Sequence, residues 1–206
     1  MRVLLSAYAC EPNVGSEPGI GWRWAIEVAK LEHDVTVITN NTNKKEIMSE
    51  MANSPNPNLN FVFYEPPSFL KWGNWHKLWP FDFGHRMFWF GWEHIYHFAW
   101  QFGAFRAVKE IHLRDPFDIV HHVTYGAARR ATFMGHLENA KFLFGPLGGG
   151  ERSPWRLRTL LPKSAILVEC FRDISIYFAK INPFLWNSYK KASIVYLKTP
   201  ESVFLV

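Results

Sequence analysis

The sequence predicts an α/β fold in which a mainly parallel sheet carries helices on both faces. Short, nearly all-apolar segments alternate with segments whose apolar residues recur every three or four positions, a pattern typical of buried parallel strands and amphipathic helices. Loops rich in Gly, Pro and Ser follow several of the apolar segments, at the strand ends where open parallel sheets bind ligands. With 206 residues, 48% of them hydrophobic, the chain can form one such domain, residues 1–206.

The first forty residues predict a strand, a helix and a second strand. Residues 2–8 are mainly apolar and residues 34–40 are rich in β-branched side chains, as expected of buried strands. Residues 19–31 predict the helix between them. We expect it to pack on the sheet through an apolar stripe spaced by four, four and three residues: Ile20, Trp24, Val28 and Leu31.

A short second helix and a third strand follow. Asn43 and Glu46 have the spacing of a capping box, which predicts a helix start at this point. Ile47 and Met51 would form the inner face of that helix. Residues 60–65 predict a third strand, which two prolines end.

The second half of the chain repeats the alternation. Residues 117–124, 141–144 and 193–198 predict three further strands. Residues 169–180 and 184–191 predict helices between them. No internal repeat interrupts this order.

One long connection, residues 69–105, breaks the pattern because it holds 15 aromatic residues, including six of the ten Trp. Long connections in compact α/β domains are usually functional or disordered, and so many aromatic residues argue against disorder. We expect a loop that becomes a helix near Trp92. That helix should pack on the sheet through the stripe Ile95, Phe98, Phe102 and Phe105.

Three loops are expected to converge at the carboxyl edge of the sheet. The first, residues 11–21, has glycines at 15, 19 and 21 before a helix, and such a loop can bring backbone amides to an anion. It matches neither the dinucleotide fingerprint nor the P-loop. The alternative for this loop is a tight turn without a ligand.

The second loop begins with His121 and His122, at the end of a predicted strand. Neighbouring residues of a strand point to opposite faces, so one histidine should face the cleft and could transfer protons. The alternative is that both are structural. A metal site is not expected, because no patterned Cys or carboxylate accompanies the pair.

The third loop, residues 145–151, contains four glycines, more than a simple connection needs. We expect a ligand or another backbone to approach it closely. A basic run follows: Arg152, Arg156, Arg158 and Lys163. This run either binds an anionic acceptor or lipid headgroup, or forms a solvated face.

The composition restricts the compartment and the partners. A net charge of +5 is a mild basic excess that fits phosphorylated substrates, anionic lipid or nucleic acid. The two cysteines do not make a disulfide framework, which favours a reducing compartment. No apolar run approaches the ~18 residues of a spanning helix. We therefore expect a cytoplasmic protein.

Taken together, SAYACEPNVGSEPGIGW, FDIVHHVTYG and FGPLGGGE resemble the N-terminal half of a family 4 glycosyltransferase. The resemblance covers about residues 1–200. It implies the GT-B fold, in which two Rossmann-like domains face each other across a cleft. It also implies a retaining, metal-independent transfer of a sugar from a nucleotide-diphosphate donor, with no other cofactor and no nucleic-acid partner.

This chain would then be the Rossmann-like acceptor-side domain, and residues 199–206 would begin a linker to a domain that holds the donor. The chain alone is expected to be inactive. The resemblance implies that Gly15 and Ser16 approach the donor diphosphate, where the family often has two glycines. It makes His122 the favoured catalytic histidine and His121 the fallback. The remaining cleft residues would be Glu11, Glu17, Thr124, Tyr125, Gly148, Gly149, Gly150, Glu151 and Arg152.

The unperiodic tryptophans of the long connection predict a surface that meets a membrane or an acceptor: Trp72, Trp75, Trp79 and Trp89. Trp pairs a large apolar body with one N–H donor and suits such interfaces. Nearby Lys71, Lys77 and Arg86 would favour anionic headgroups. We expect contact with the inner face of a membrane and a glycan or lipid-linked acceptor. The alternative is a hydrophobic lid folded onto its own domain.

A different class of function also fits the sequence. A non-catalytic module that binds a membrane surface or a carbohydrate would use the same aromatic residues and basic excess. An NAD-dependent enzyme fits poorly, because the glycine fingerprint is absent and Asn40 stands where an acidic residue should end the second strand.

Overall fold

A parallel six-stranded sheet forms the centre of the computed structural model, which describes residues 1–70 and 82–205 and the side chains of residues 1–70 and 95–203. The strand order is β3-β2-β1-β4-β5-β6, and each neighbouring pair is parallel. The strands are β1 (Arg2–Ser6), β2 (Asp34–Asn40), β3 (Leu59–Tyr64), β4 (Ile119–His122), β5 (Lys141–Leu147) and β6 (Ile194–Leu197). The predicted α/β fold with a parallel sheet is confirmed.

Helices cover the sheet and connect its strands. They are α1 (Ser16–Lys30), α2 (Lys44–Asn53), α3 (Asp82–Arg114), α4 (Trp155–Arg158), α5 (Lys163–Lys180) and α6 (Pro183–Lys191). Helix α3 begins ten residues before the predicted start at Trp92. The apolar residues of this stretch have no clear helical period, so periodicity could not reveal the start.

The core has one layer on each side of the sheet. Val3 and Leu5 of β1 pack with Ala25 of α1 and Ile47 of α2. On the opposite face, Leu4 packs in a cluster with buried residues of α3, β4, β5 and α6. This alternation along β1 follows from the two-residue period of a strand. It explains why both faces of the strand are apolar.

Helix α1 does not use the predicted stripe. Its buried residues are Gly19, Gly21, Ala25 and Ala29, whereas Ile20, Trp24 and Leu31 are exposed. Small residues allow the helix backbone to lie close to the loop that follows β1: a Cβ on Gly21 would be 2.2 Å from the Ala9 carbonyl oxygen. A pattern of large apolar residues could not reveal this small-residue face.

The predicted stripe of α3 is wrong for a related reason. Ile95, Phe98 and Phe102 are exposed, and Phe105 is only partly buried. The buried face instead contains His97, Trp100, Gln101, Ala104 and Val108. Two of these are polar but satisfied, because the Gln101 side chain contacts His97 at 3.3 Å and accepts a hydrogen bond from Thr132 at 2.9 Å.

Helix α2 begins where it was predicted, but without the capping box. The Asn43 side chain makes no capping bond and instead donates to the Cys10 carbonyl oxygen at 3.4 Å. The Asn40 side chain accepts from Thr42 N at 2.9 Å and caps the turn before the helix. Ile47 is fully buried, as predicted.

Candidate functional site

The three predicted loops meet at the carboxyl edge of the sheet. Tyr125 N donates to a Glu17 carboxylate oxygen at 2.8 Å, which joins the second loop to the start of α1. Gly148 N donates to the Gly126 carbonyl oxygen at 2.9 Å, which joins the second loop to the third. These bonds follow from the adjacency of β1, β4 and β5 in the sheet. They place the loops around one opening.

That opening is a groove of about 440 Å³, which we call the polar groove. Three of its side chains are cationic and two are carboxylates. Its lining residues are Glu17, Tyr125, Gly126, Ala127, Arg129, Arg130, Gly148, Gly149, Glu151 and Lys198. Backbone from two glycine turns and three cations together make a surface suited to an anion.

Gly15 differs from the later glycines of the first loop. It is exposed at the N-cap of α1, and a Cβ added there would meet no atom within 4 Å. A Cβ on Gly19 would lie 2.0 Å from the Val14 carbonyl oxygen. Gly19 is therefore required by packing, whereas the protein itself does not need a glycine at position 15. Ser16, the next residue, has a left-handed backbone with φ of 60°.

Glu11 lies in the same loop but does not line the polar groove. It is half-buried, and its backbone N donates to the Pro18 carbonyl oxygen at 3.0 Å. In the structure it contributes to the turn that leads into α1.

His122, predicted to face the cleft, does not line the polar groove. It is 2% exposed, with Nδ1 3.3 Å from Ser6 Oγ and its ring edge-on to Phe144 at 5.5 Å. Both neighbours belong to the strands that flank β4. Burial, with a smaller contribution from His121, lowers the pKa of His122 to about 3. His122 is therefore neutral near pH 7.

His121 is also enclosed, on the opposite face of the sheet. Its Nε2–H donates to the Gly145 carbonyl oxygen at 2.7 Å, and its ring lies against Trp24 at 4.9 Å. Burial lowers its pKa, and the bond to Gly145 partly offsets that effect. Neither histidine lines the polar groove. In the structure, both rings contact neighbouring protein groups.

Tyr125 is held in an uncommon conformation where the groove begins. Its φ is 55°, which is costly for a residue with a side chain. Its ring stacks on His97 at 5.3 Å and contacts Tyr8 at 4.5 Å, while the Arg130 guanidinium lies 5.0 Å from its centre. These contacts fix the turn. The preceding Thr124 is 1% exposed and accepts from Ala9 N, outside the groove.

Glu151 closes the third loop on itself. Its carboxylate accepts from Gly149 N at 2.8 Å and from the Thr199 hydroxyl at 2.9 Å. A hydrogen bond from its own backbone N–H, followed by those from Thr199 and Gly149, lowers its pKa. Gly149 has φ of 85°, which favours glycine. Gly150 packs against the backbone of Ser202 and lies outside the groove.

One residue of the basic run after this loop is used inside the protein, while Arg152, Arg156 and Lys163 are exposed. Arg158 is 6% exposed, and its guanidinium binds the Asp173 carboxylate at 2.5 and 3.1 Å. Arg158 also lies 3.6 Å from Glu169. Hydrogen bonding to Arg158 is the main cause that lowers the pKa of Asp173. Arg152 lies 4.0 Å from Asp173 and does not line the polar groove.

The cations that do line the groove were not predicted. Arg129 and Arg130 follow the second loop, and Lys198 follows β6. The adjacent arginines after the Thr-Tyr-Gly turn were the available signal for the first two. The groove therefore remains basic, but through different residues from those expected.

Three other features that the sequence raised are the tryptophan surface, a metal site and a membrane-spanning helix. Trp72, Trp75 and Trp79 lie outside the described residues, and Trp89 lies in α3 without a described side chain. Within the described residues, no three His, Cys, Asp or Glu side chains cluster as metal ligands would. No helix in the described part of the chain is long and apolar enough to cross a bilayer.

Comparison of the sequence with known protein-family models and with curated proteins finds no match in either.

Proposed function

We propose that this chain is the acceptor-side domain of a retaining, metal-independent glycosyltransferase that uses a nucleotide-diphosphate sugar. The proposal rests on one observation: the three sequence motifs that resemble those of family 4 glycosyltransferases meet at one groove. The Glu17–Tyr125 and Gly126–Gly148 hydrogen bonds join segments more than 100 and more than 20 residues apart in sequence. An open parallel sheet binds its ligands at this edge.

The chemistry of the polar groove fits a phosphorylated sugar substrate. Arg129, Arg130 and Lys198 supply positive charge, and the α1 N-terminus, with Gly15 as its cap, favours an anion nearby. A carboxylate can accept more hydrogen bonds than Glu17 and Glu151 receive from the protein, so both can also accept hydrogen bonds from sugar hydroxyls. The groove would thus orient an acceptor while its cations attract phosphate.

The proposal gives no proton-transfer role to His121 or His122. Both are buried and have lowered pKa values. Their function in this account is to fix the ends of β4 and β5, through the Ser6 and Gly145 contacts. The reacting groups would come from the substrates and from a second domain, which the resemblance implies.

The proposed setting is the cytoplasmic side of a membrane. Cys10 and Cys170 are both unpaired, as is usual in a reducing compartment. Cys10 is fully buried, and burial raises its pKa to about 12, so it is not a reactive thiol.

The proposal is tested by steady-state kinetics on the complete gene product with a panel of nucleotide-diphosphate sugars. Arg130→Gln and Lys198→Gln remove cations that line the groove. Each should raise a substrate KM at least about tenfold, because a charge-assisted hydrogen bond contributes about 1.5–3 kcal/mol. Arg106→Gln, on the exposed side of α3, is the matched control and should have no effect.

Two results would count against the proposal. Equal kinetics for the groove variants and the control would remove the groove from substrate binding. Ligand binding without turnover of any donor would favour the alternative, a non-catalytic module that binds a carbohydrate or a membrane surface.

A further inference from the structure

A second groove, between α3 and α5, adjoins the polar groove. Its volume is also about 440 Å³, and its described lining is mainly apolar; we call it the apolar groove. Phe98 of α3 and Phe171, Ile174 and Phe178 of α5 contribute large apolar side chains, although each is at least 40% exposed. The complete lining is His97, Phe98, Arg129, Arg130, Ala131, Phe171, Ile174, Ser175, Phe178, Ala179 and Asn182.

Arg129 and Arg130 line both grooves. The Arg129 guanidinium lies 3.4 Å from Ser175 Oγ of α5, and the Arg130 guanidinium lies over the Tyr125 ring. The pair therefore stands at the junction, with an apolar surface on one side and a polar one on the other. A ligand that spans this junction needs a hydrocarbon part, an anion and a hydrophilic part, in that order.

The surface around α5 is apolar and strongly basic. Exposed apolar side chains recur on α5 and just after it at spacings of four, three, four and three: Leu167, Phe171, Ile174, Phe178 and Ile181. Residues 152–191 hold eight Lys and Arg but two Asp and Glu, a net charge of +6 against +5 for the whole chain. The basic excess of the protein thus lies in the segment that contains α5, although Arg158 within it is buried, and a basic, apolar segment fits an anionic bilayer.

We propose that the apolar groove binds the hydrocarbon chain of a phosphate-bearing lipid, whose phosphate lies at Arg129 and Arg130. The hydrophilic end of that lipid would enter the polar groove as the sugar acceptor. This identification of the acceptor class rests on the proposed function. The proposed lipid contact is therefore α5, and not the tryptophans of the long connection that the sequence predicted.

Charge argues against a second copy of the chain as the occupant of the apolar groove. A second copy of the chain would bring two surfaces of net charge +6 together. A lipid phosphate supplies both a negative charge and an apolar chain.

The direct test is calorimetric titration of the 206-residue chain with alkyl phosphates below their micelle concentrations. Hexyl, octyl and decyl phosphate should bind progressively more tightly, by up to about fourfold for each enclosed methylene. Inorganic phosphate and octanol are the probes for the two separate halves of the ligand. Each should bind at least about tenfold more weakly than octyl phosphate.

Matched variants locate the site. Ile174→Glu places a charge in the apolar groove, whereas Val168→Glu changes a similarly exposed residue of α5 outside it. Ile174→Glu should weaken octyl phosphate binding at least tenfold, and Val168→Glu less than twofold. Arg129→Gln should weaken octyl phosphate but not octanol, while Lys180→Gln, an exposed cation of α5, should change neither. Circular dichroism checks that each variant is folded.

The proposal is overturned if octyl phosphate fails to bind. It is also overturned if affinity is independent of chain length, or if the chain is a dimer that Ile174→Glu dissociates. Sugar transfer by the complete gene product to a water-soluble acceptor alone would refute the lipid acceptor and leave the proposed function standing. Alkyl phosphate binding without any sugar transfer would refute the proposed function and leave the lipid-binding groove standing.

Discussion

His122 should make the stability of this domain depend on pH. In the unfolded chain its pKa is near 6.5, and in the folded protein burial lowers the pKa to about 3. Because the unfolded state binds the proton more readily, the contribution is fully present above pH 6.5. It is lost as the pH falls from 6.5 toward 3.

The magnitude follows from the size of the shift. A difference of about 3.5 pKa units corresponds to about 5 kcal/mol across the whole window. Between pH 8 and pH 5 the same linkage relation gives a loss of about 2 kcal/mol. That is a large fraction of the 5–15 kcal/mol that usually stabilises a domain.

The variant His122→Asn tests this contribution, because it removes the titrating ring and keeps a polar side chain near Ser6. Urea unfolding, followed by tryptophan fluorescence at pH 8 and pH 5, gives the free energy of unfolding at each pH. The variant should lose about 2 kcal/mol less than the wild type between the two pH values. Ser6→Ala is the control, because it removes the hydroxyl 3.3 Å from Nδ1 and leaves the ring buried.

The reasoning is refuted if His122→Asn and the wild type lose the same free energy between pH 8 and pH 5. In that case the histidine would be solvated or protonated in the folded protein.

Three further predictions test the first loop and the face of α3. Gly15→Ala should cost no more than about 1 kcal/mol of stability but raise the donor KM about tenfold. Gly19→Ala, whose Cβ would lie 2.0 Å from a backbone oxygen, should cost about 3 kcal/mol of stability. Equal KM values for Gly15→Ala and the wild type would remove the loop from donor binding. Ser16→Gly should raise the thermal midpoint, since it relieves a φ of 60° worth up to about 1 kcal/mol, and a lowered midpoint would contradict that strain. Trp100→Ala should lower the free energy of unfolding by about 4 kcal/mol, because the side chain is fully buried. Ile95→Ala, at an exposed position, should lower it by less than about 1 kcal/mol. A larger loss for Ile95→Ala than for Trp100→Ala would contradict the buried face of α3.

The strands and the meeting of the loops could be predicted because both depend on local pattern. Strands buried on two faces appear in sequence as apolar runs, and the six runs became β1 to β6. Once the strands are parallel, the loops after β1, β4 and β5 must lie at one edge. The convergence of Glu17, Tyr125 and Gly148 therefore required no knowledge of distant contacts.

The helix faces and the groove cations could not be predicted, because they depend on packing between distant segments. Helix α1 packs through glycine and alanine, which carry little hydropathy signal. Arg158 is drawn into the protein by Asp173, while Lys198 reaches the groove from the last strand. Residue type alone does not separate a buried ion pair from a binding cation. Likewise, a histidine at a strand end gives no sign of whether its ring is enclosed.

Analysis of the reaction product decides whether this domain presents an acceptor to a nucleotide-diphosphate sugar. The complete gene product is incubated with a panel of donors and an alkyl phosphate carrying a sugar headgroup, and the acceptor is analysed by mass spectrometry and proton NMR. We expect an acceptor heavier by one sugar, with the anomeric configuration of the donor retained and with transfer reduced by Arg130→Gln. Folded protein that transfers no sugar from any donor, or that inverts the anomeric centre, would contradict this expectation.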